Sequence, residues 1–117
     1  MKTIRILTAM VFVSVAVHAA GAQTAFPERT VRILVGYVPG GPNDIIARAI
    51  GDKLAQAWDK AVVVENVPGA SGNIAGDRVA RAAPDGYTLI IVAIGHALNP
   101  YLYATLPYDS FIDFTPL

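Results

Sequence analysis

A chain of 117 residues is enough for one small domain at most. Nine basic residues balance nine acidic ones, so the chain carries no electrostatic footprint for nucleic acid or an anionic membrane surface. Cysteine is absent, which excludes a disulfide framework and leaves stability to a packed core.

The first segment reads as an address rather than as structure. Lys2 and Arg5 precede an apolar run, Ile6 to Val17, that ends in small residues, Ala19-Ala20-Gly21-Ala22. A basic start, a short apolar middle and an Ala-x-Ala end describe a secretory signal peptide over residues 1–22, cut before Gln23. A membrane anchor is the weaker reading, because a spanning helix needs about 20 apolar residues. Without the leader, seven basic residues face nine acidic ones, a formal charge of −2. An exported chain without cysteine fits a bacterial periplasm.

Strand and helix patterns then alternate. Val31–Val35 is the first strand candidate. Ile45, Ile46, Ala49, Ile50, Leu54, Ala57 and Trp58 share one stripe at helical spacing and are expected to face inward, with Arg48, Asp52 and Gln56 opposite. Residues 61–65, AVVVE, form the second strand, and the loop NVPGASGN leads into a shorter helix with Ile74, Ala75, Val79, Ala82 and Ala83 inward. Pro84-Asp85-Gly86 turns the chain into a third strand, residues 88–93, and a short helix is expected over residues 99–103. The order βαβαβ, with strands apolar throughout, predicts a parallel sheet covered by helices on both faces. Right-handed crossovers place the three strand ends on one edge. The loops at residues 36–44, 66–73 and 94–99 are therefore expected to converge where open α/β sheets bind ligands.

The first of these loops reads Pro-Gly-Gly-Pro-Asn-Asp. Pro42 suits the first helical position, which makes Gly41 the N-cap. Glycines allow close approach to the backbone, and free N–H groups at a helix start favour an anion. The second loop repeats the arrangement with Pro68-Gly69-Ala70-Ser71-Gly72-Asn73, so two helix N-termini aimed at one cleft would suit a small carboxylate. Each motif also has a plainer explanation. Asp44 reads first as a group that stabilises its own helix or fixes the loop, and Asn73 divides between capping and ligand contact. A lone His96 is more often structural than catalytic. Arg48, Arg78 and Arg81 read as solvated helix faces, and Tyr101, Tyr103, Tyr108, Phe111 and Phe114 as packing residues.

Other chemistries find little support. Beyond the leader only one histidine remains, and no metal site has ligands at a usual spacing. Ser71 and Ser110 sit in no nucleophile-elbow pattern. Glu65 ends the second strand where a dinucleotide fold would place its ribose acid, yet the first turn lacks both the Gly-x-Gly-x-x-Gly and the P-loop patterns.

Three runs in combination carry a resemblance: FPERTVRILVGYVPGGPNDIIAR, VVVENVPGASGNIAGDRVARAAPDGYTL and GHALNPYLYATLPYDSFIDFTPL. They resemble the Bug-type substrate-binding proteins of tripartite tricarboxylate transporters, from about Phe26 to Leu117. The resemblance implies a periplasmic, two-lobed Venus-flytrap receptor of α/β class that captures a small carboxylate and delivers it to membrane permease subunits. It implies no cofactor, no metal and no chemical step. The candidate binding positions are Gly40, Gly41, Asn43 and Asp44, then Gly69, Ala70, Ser71, Gly72 and Asn73, then Gly95, His96 and Asn99. The family usually has Pro at position 36 and a small residue or Thr at position 43, and a hydroxyl residue commonly follows the third strand, where Ala93-Ile94-Gly95 offers none. Asp59 stands where a helix-ending Gly is frequent, a tolerable change because Asp can enter the left-handed region. Family members are far longer, so residues 23–117 are expected to be a truncated receptor, part of a first lobe with the second lobe absent, showing little cooperativity and at best weak carboxylate affinity alone. The alternatives are an exported sensor or interaction module presenting the same cleft and, further behind, a small hydrolase.

Overall fold

Strand β1 (Val31–Val35) owes its central place to side chains that suit burial on both faces. Val31, Ile33, Leu34 and Val35 are all buried, and each such side chain contributes about 1.5–3 kcal/mol. The computed structural model describes residues 25–117; the expected leader over residues 1–22 lies outside the described residues. Strand β2 (Val62–Asn66) pairs parallel with one edge of β1, Val31 opposite Val62 and Val35 opposite Asn66. Strand β3 (Thr88–Ile91) pairs parallel with the other edge, Arg32 opposite Thr88 and Val35 opposite Ile91. The resulting order is β2-β1-β3, an α/β fold with a three-stranded parallel sheet.

The pleat sends alternate residues to two separate cores. Ile33 and Val35 pack with Ala47 on one face, helped by Val62, Val64, Leu89 and Ile91. Leu34 packs with Val67 and Ala75 on the other, helped by Val79 and Ile90. Helix α1 (Pro42–Trp58) covers the first face and helix α2 (Asn73–Ala80) the second. Helix α3 (Ile94–Leu102) follows β3 directly. Coverage is complete only over β1. Val63 on β2 is 47 % exposed, because an edge strand of so small a sheet has one face without a helix.

Helix α1 turns differently from the sequence expectation, whereas α2 sends Ala75 and Val79 inward as expected and differs at Ile74 and, beyond its end, at Ala83, which are exposed. In α1 the buried residues are Asp44, Ala47 and Gly51, with Leu54, Ala55 and Trp58 half-buried on the same stripe. Ile45, Ile46 and Ile50 are exposed, and so are Ala49 and Ala57. Two apolar stripes compete on this helix, and the one with small residues wins because it lets the helix approach the branched valines of β2. In α2 the buried stripe is Asn73, Ala75 and Gly76, while Ile74 turns outward. Gly51 is the point of closest approach: a Cβ there would meet Val62 Cγ1 at 3.4 Å and Val64 Cγ2 at 3.5 Å, ordinary packing distances. Gly51→Ala is accordingly expected to stabilise the fold by about 0.5–1 kcal/mol through helix propensity, read as a higher urea midpoint. A lower midpoint would mean that α1 sits too tightly against β2.

The amino ends of the strands are closed by an aromatic group. Phe26 meets the Trp58 ring edge-on at 5.7 Å and the Tyr87 ring at 5.0 Å. Arg29 lies over Tyr87 and pairs with Asp85 at 2.8 Å. The opposite edge, at the strands' carboxyl ends, is left for the loops.

Candidate functional site

The chain leaves β1 for β2 on one side and reaches β3 on the other, so the carboxyl ends of β1 and β3 flank a topological switch point. Ligands of open α/β sheets sit at such a crevice. A cleft does open there, lined by Gly36 and Tyr37 after β1, Ser71 and Gly72 before α2, Ile90 to Ala93 at the end of β3, and His96, Asn99 and Tyr108. Its enclosed space is about 10 Å³, room for a single water-sized group.

The second corner reaches this cleft by an unusual path. Gly69, Ala70, Ser71 and Gly72 all hold positive φ, at 137°, 47°, 56° and 88°, and the Gly72 N–H donates to the Gly69 carbonyl at 3.0 Å. Such a left-handed turn costs about 1–2 kcal/mol at each residue bearing a Cβ. It brings Gly72 against the first corner so closely that a Cβ on Gly36 would fall 2.6 Å from Gly72 Cα.

All three helices begin without a side-chain cap. The N-cap residues are Gly41, Gly72 and Ala93, none of which makes a capping hydrogen bond. An uncapped start leaves first-turn N–H groups without intrahelical partners and concentrates the positive end of the helix dipole. The N-termini of α2 and α3 both open on the cleft. Gly95, in the first turn of α3, lies so close to the second corner that its missing Cβ would stand 3.3 Å from the Ser71 carbonyl oxygen.

A buried polar group holds these two helices together. Asn73 Oδ1 accepts hydrogen bonds from Asn99 Nδ2 and, at 2.8 Å, from the Tyr108 hydroxyl. Asn99 Nδ2 also donates to the Ser71 carbonyl at 3.3 Å. Burial raises the pKa of Tyr108, so the phenol keeps the proton it donates. His96 directs Nε2 at the Ser110 carbonyl, 3.0 Å away, and its ring stacks beside Tyr108 and meets Phe114 edge-on. A carbonyl only accepts, so Nε2 carries a proton.

The predicted residues therefore fall into two groups. Ser71, Gly72, His96 and Asn99 line the cleft, Asn73 and Gly95 stand directly behind it, and Ala70 is exposed beside Ser71. Gly40, Gly41, Asn43 and Asp44 occupy the same sheet edge but lie outside the cleft lining. The expected loop over residues 94–99 is helical, and α3 begins five residues before the expected residue 99. Tyr37, which had no particular signal in the sequence, forms one wall. Among the described residues, no cluster of three or more His, Asp or Glu side chains could hold a metal ion.

The first corner is held by its own network. Asp44 is buried; its Oδ2 accepts from the Gly40 N–H at 2.8 Å and from Arg48 Nε at 3.1 Å. Arg48 also donates to Asn66 Oδ1 at 3.0 Å, and Asn66 Nδ2 donates to the Tyr37 carbonyl at 3.1 Å. Arg48 is thus a tie between α1 and β2 and not merely a solvated residue. Arg78 and Arg81 do stay on the surface, pairing with Glu65 and Asp77. Glu65 is shared with Arg32, which accounts for its place at the end of β2. The Arg48 guanidinium and the Gly40 N–H lower the Asp44 pKa from 3.8 to about 2. A carboxylate whose pKa falls on folding adds stability above its unfolded value, and that stability disappears as pH drops through the folded value. Acid unfolding followed by circular dichroism should accordingly show a loss of stability between pH 3.8 and about 2 that is absent in Asp44→Asn. An unchanged acid profile in Asp44→Asn would show that the ion pair contributes nothing.

Known proteins share this fold. The family model described as the tripartite tricarboxylate transporter family receptor matches residues 46–117. A UPF0065 protein of Bordetella bronchiseptica is 39% identical over 113 residues, covering 96% of this chain and 33% of its own. The periplasmic binding protein BugD superposes with a TM-score of 0.74 at 38% identity, over 78% of this chain and 30% of its own. MatC from Rhodopseudomonas palustris, solved with bound malate, gives 0.74 at 43% identity, over 78% and 31%. The chain spans about a third of the length of these proteins.

Proposed function

The chain belongs to the tripartite tricarboxylate transporter receptor family, and from that premise we propose that its sheet-edge cleft receives one carboxylate of a small dicarboxylic acid. The observation that carries this reading is the meeting of the α2 and α3 N-termini, both without side-chain caps, at the switch-point cleft. Two sets of first-turn amides suit an anion, and neither N-cap residue, Gly72 or Ala93, caps them with a side chain. The carboxylate stays at the open mouth of the cleft, against these amides, since the enclosed space admits only a water-sized group.

In this reading the protein is a periplasmic solute receptor that works by binding alone. Residues 1–22 direct export and are then removed, and the loaded form hands its ligand to membrane permease subunits. BugD is a periplasmic binding protein and MatC was solved with malate, which support both the compartment and the ligand class. No step of this function requires a cofactor. Residues 25–117 supply one wall of the site, and closure onto the ligand uses contacts from a second lobe.

Calorimetric titration of the full chain with four-carbon dicarboxylates tests the proposal. Saturable heat is expected for the dianion and none for the corresponding diamide, which has the same shape without charge. Equal binding of both would remove the helix N-termini from the explanation.

A further inference from the structure

Asn99 is 1 % exposed, and its Oδ1 has no hydrogen-bond partner among the described residues. The orientation of this amide is fixed by its neighbours. Its nitrogen faces the Ser71 carbonyl and Asn73 Oδ1, both acceptors, so the other atom must be the oxygen. A buried acceptor left without a donor costs about 1–3 kcal/mol, which makes an unfilled position here informative.

That oxygen lies beside Gly95. Around Gly95 stand the Ser71 carbonyl oxygen and the Tyr37 hydroxyl, each 3.3 Å from where a Cβ would be, and Asn99 Oδ1, 3.7 Å from it; Tyr37, Ser71 and Asn99 all line the small cleft beside this glycine. Three oxygens thus border one stretch of the cleft at the first turn of α3. Two of them only accept, and the third can do so. The adjoining space admits one water-sized group, which excludes a carboxylate and suits a hydroxyl or an ammonium. The first-turn amides of α3 lie beside the same stretch and favour negative charge.

We infer that this position reads a hydrogen-bond donor on the carbon next to the ligand's carboxylate, and that Asn99 Oδ1, the Ser71 carbonyl and Tyr37 make the protein select 2-hydroxy or 2-amino acids over unsubstituted diacids. The inference rests on the carboxylate-receptor reading and adds to it a specificity determinant. The carboxylate sits at the amides, and its neighbouring donor fills the oxygen-lined space. A ligand without that donor leaves Asn99 Oδ1 unpaired in the complex.

The test is a set of calorimetric titrations of the full chain with malate, aspartate, succinate and 2-methoxysuccinate at one pH and ionic strength. Malate, aspartate or both should bind roughly two- to tenfold more tightly than succinate, the range of one added hydrogen bond. Which of the two gains identifies the donor as hydroxyl or ammonium. 2-Methoxysuccinate, which has the bulk without the donor, should gain nothing. Tyr37→Phe should narrow the ratio between the affinities for the favoured acid and for succinate. Equal affinity for malate, aspartate and succinate would overturn the inference while leaving the receptor reading intact, because a resident water would then satisfy Asn99. A ratio that Tyr37→Phe leaves untouched would also overturn the three-oxygen assignment. Binding of none of the four would bring down the receptor reading itself, and this inference with it.

Discussion

Asn73→Ala is expected to lower stability by about 2–4 kcal/mol, since it strands two buried donors at once. Asn73 Oδ1 accepts from both Asn99 and Tyr108, and the second of these joins the segment after α3 to the rest of the fold. Both bonds use Asn73 only as an acceptor. Asn73→Asp keeps two oxygens in place and puts its charge at the first position of α2, where the helix dipole favours it. The aspartate variant should therefore unfold at a urea concentration closer to wild type than the alanine variant does. It should still bind dicarboxylate poorly, because the new charge stands behind the cleft. Equal destabilisation by Ala and Asp would show that the amide's hydrogen bonds are not what joins α2 to α3.

The other large effect belongs to the core. Leu34 is 2 % exposed on the central strand and packs among Val67, Ala75, Val79 and Ile90. Truncation to alanine removes buried methyl groups and leaves a cavity, at a cost of about 2–5 kcal/mol. Small domains have total stabilities of about 5–15 kcal/mol, so Leu34→Ala should shift most of the population toward the unfolded state under mild denaturant. Chemical denaturation monitored by tryptophan fluorescence at Trp58 checks this. A loss under 1 kcal/mol would mean that the α2 face of the sheet collapses readily around the missing atoms.

These two variants also mark what could be read in the sequence. Leu34 was legible because β1 is apolar on both faces, a pattern that only a covered parallel strand requires. The N-cap at Gly41 and Pro42 at the first helical position were legible from local geometry, and Asp59, noted only where the resembled family often has Gly, enters the left-handed region at φ 52°. The phase of α1 was not. Periodicity reveals an apolar stripe at Ile45, Ile46 and Ile50, but the distance of closest approach decides which stripe faces the sheet, and Ala47 and Gly51 allow the shorter one. The early start of α3 was hidden for a different reason. Ala93 lacks a capping side chain, and Pro100 inside the helix resembles a start signal. Within the site, the loop glycines announced that the corners could converge. Nothing local announced that Asn73, Asn99 and Tyr108 would bond to each other, since they lie 26 and 35 residues apart along the chain.

The backward-wound corner over Gly69 to Gly72 bears on the entropy of recognition. Ala70 and Ser71 sit in a narrow well of backbone conformation, and the 3.0 Å bond from Gly72 to Gly69 closes the turn. Neither residue can swing to a neighbouring conformation without breaking that bond. The Ser71 carbonyl is therefore aimed before any guest arrives, and the ordering of this wall is a cost of folding instead of a cost of capture. On the proposed receptor reading, little motional freedom would be lost at that wall on loading, and much of the discrimination would already be present in the empty state.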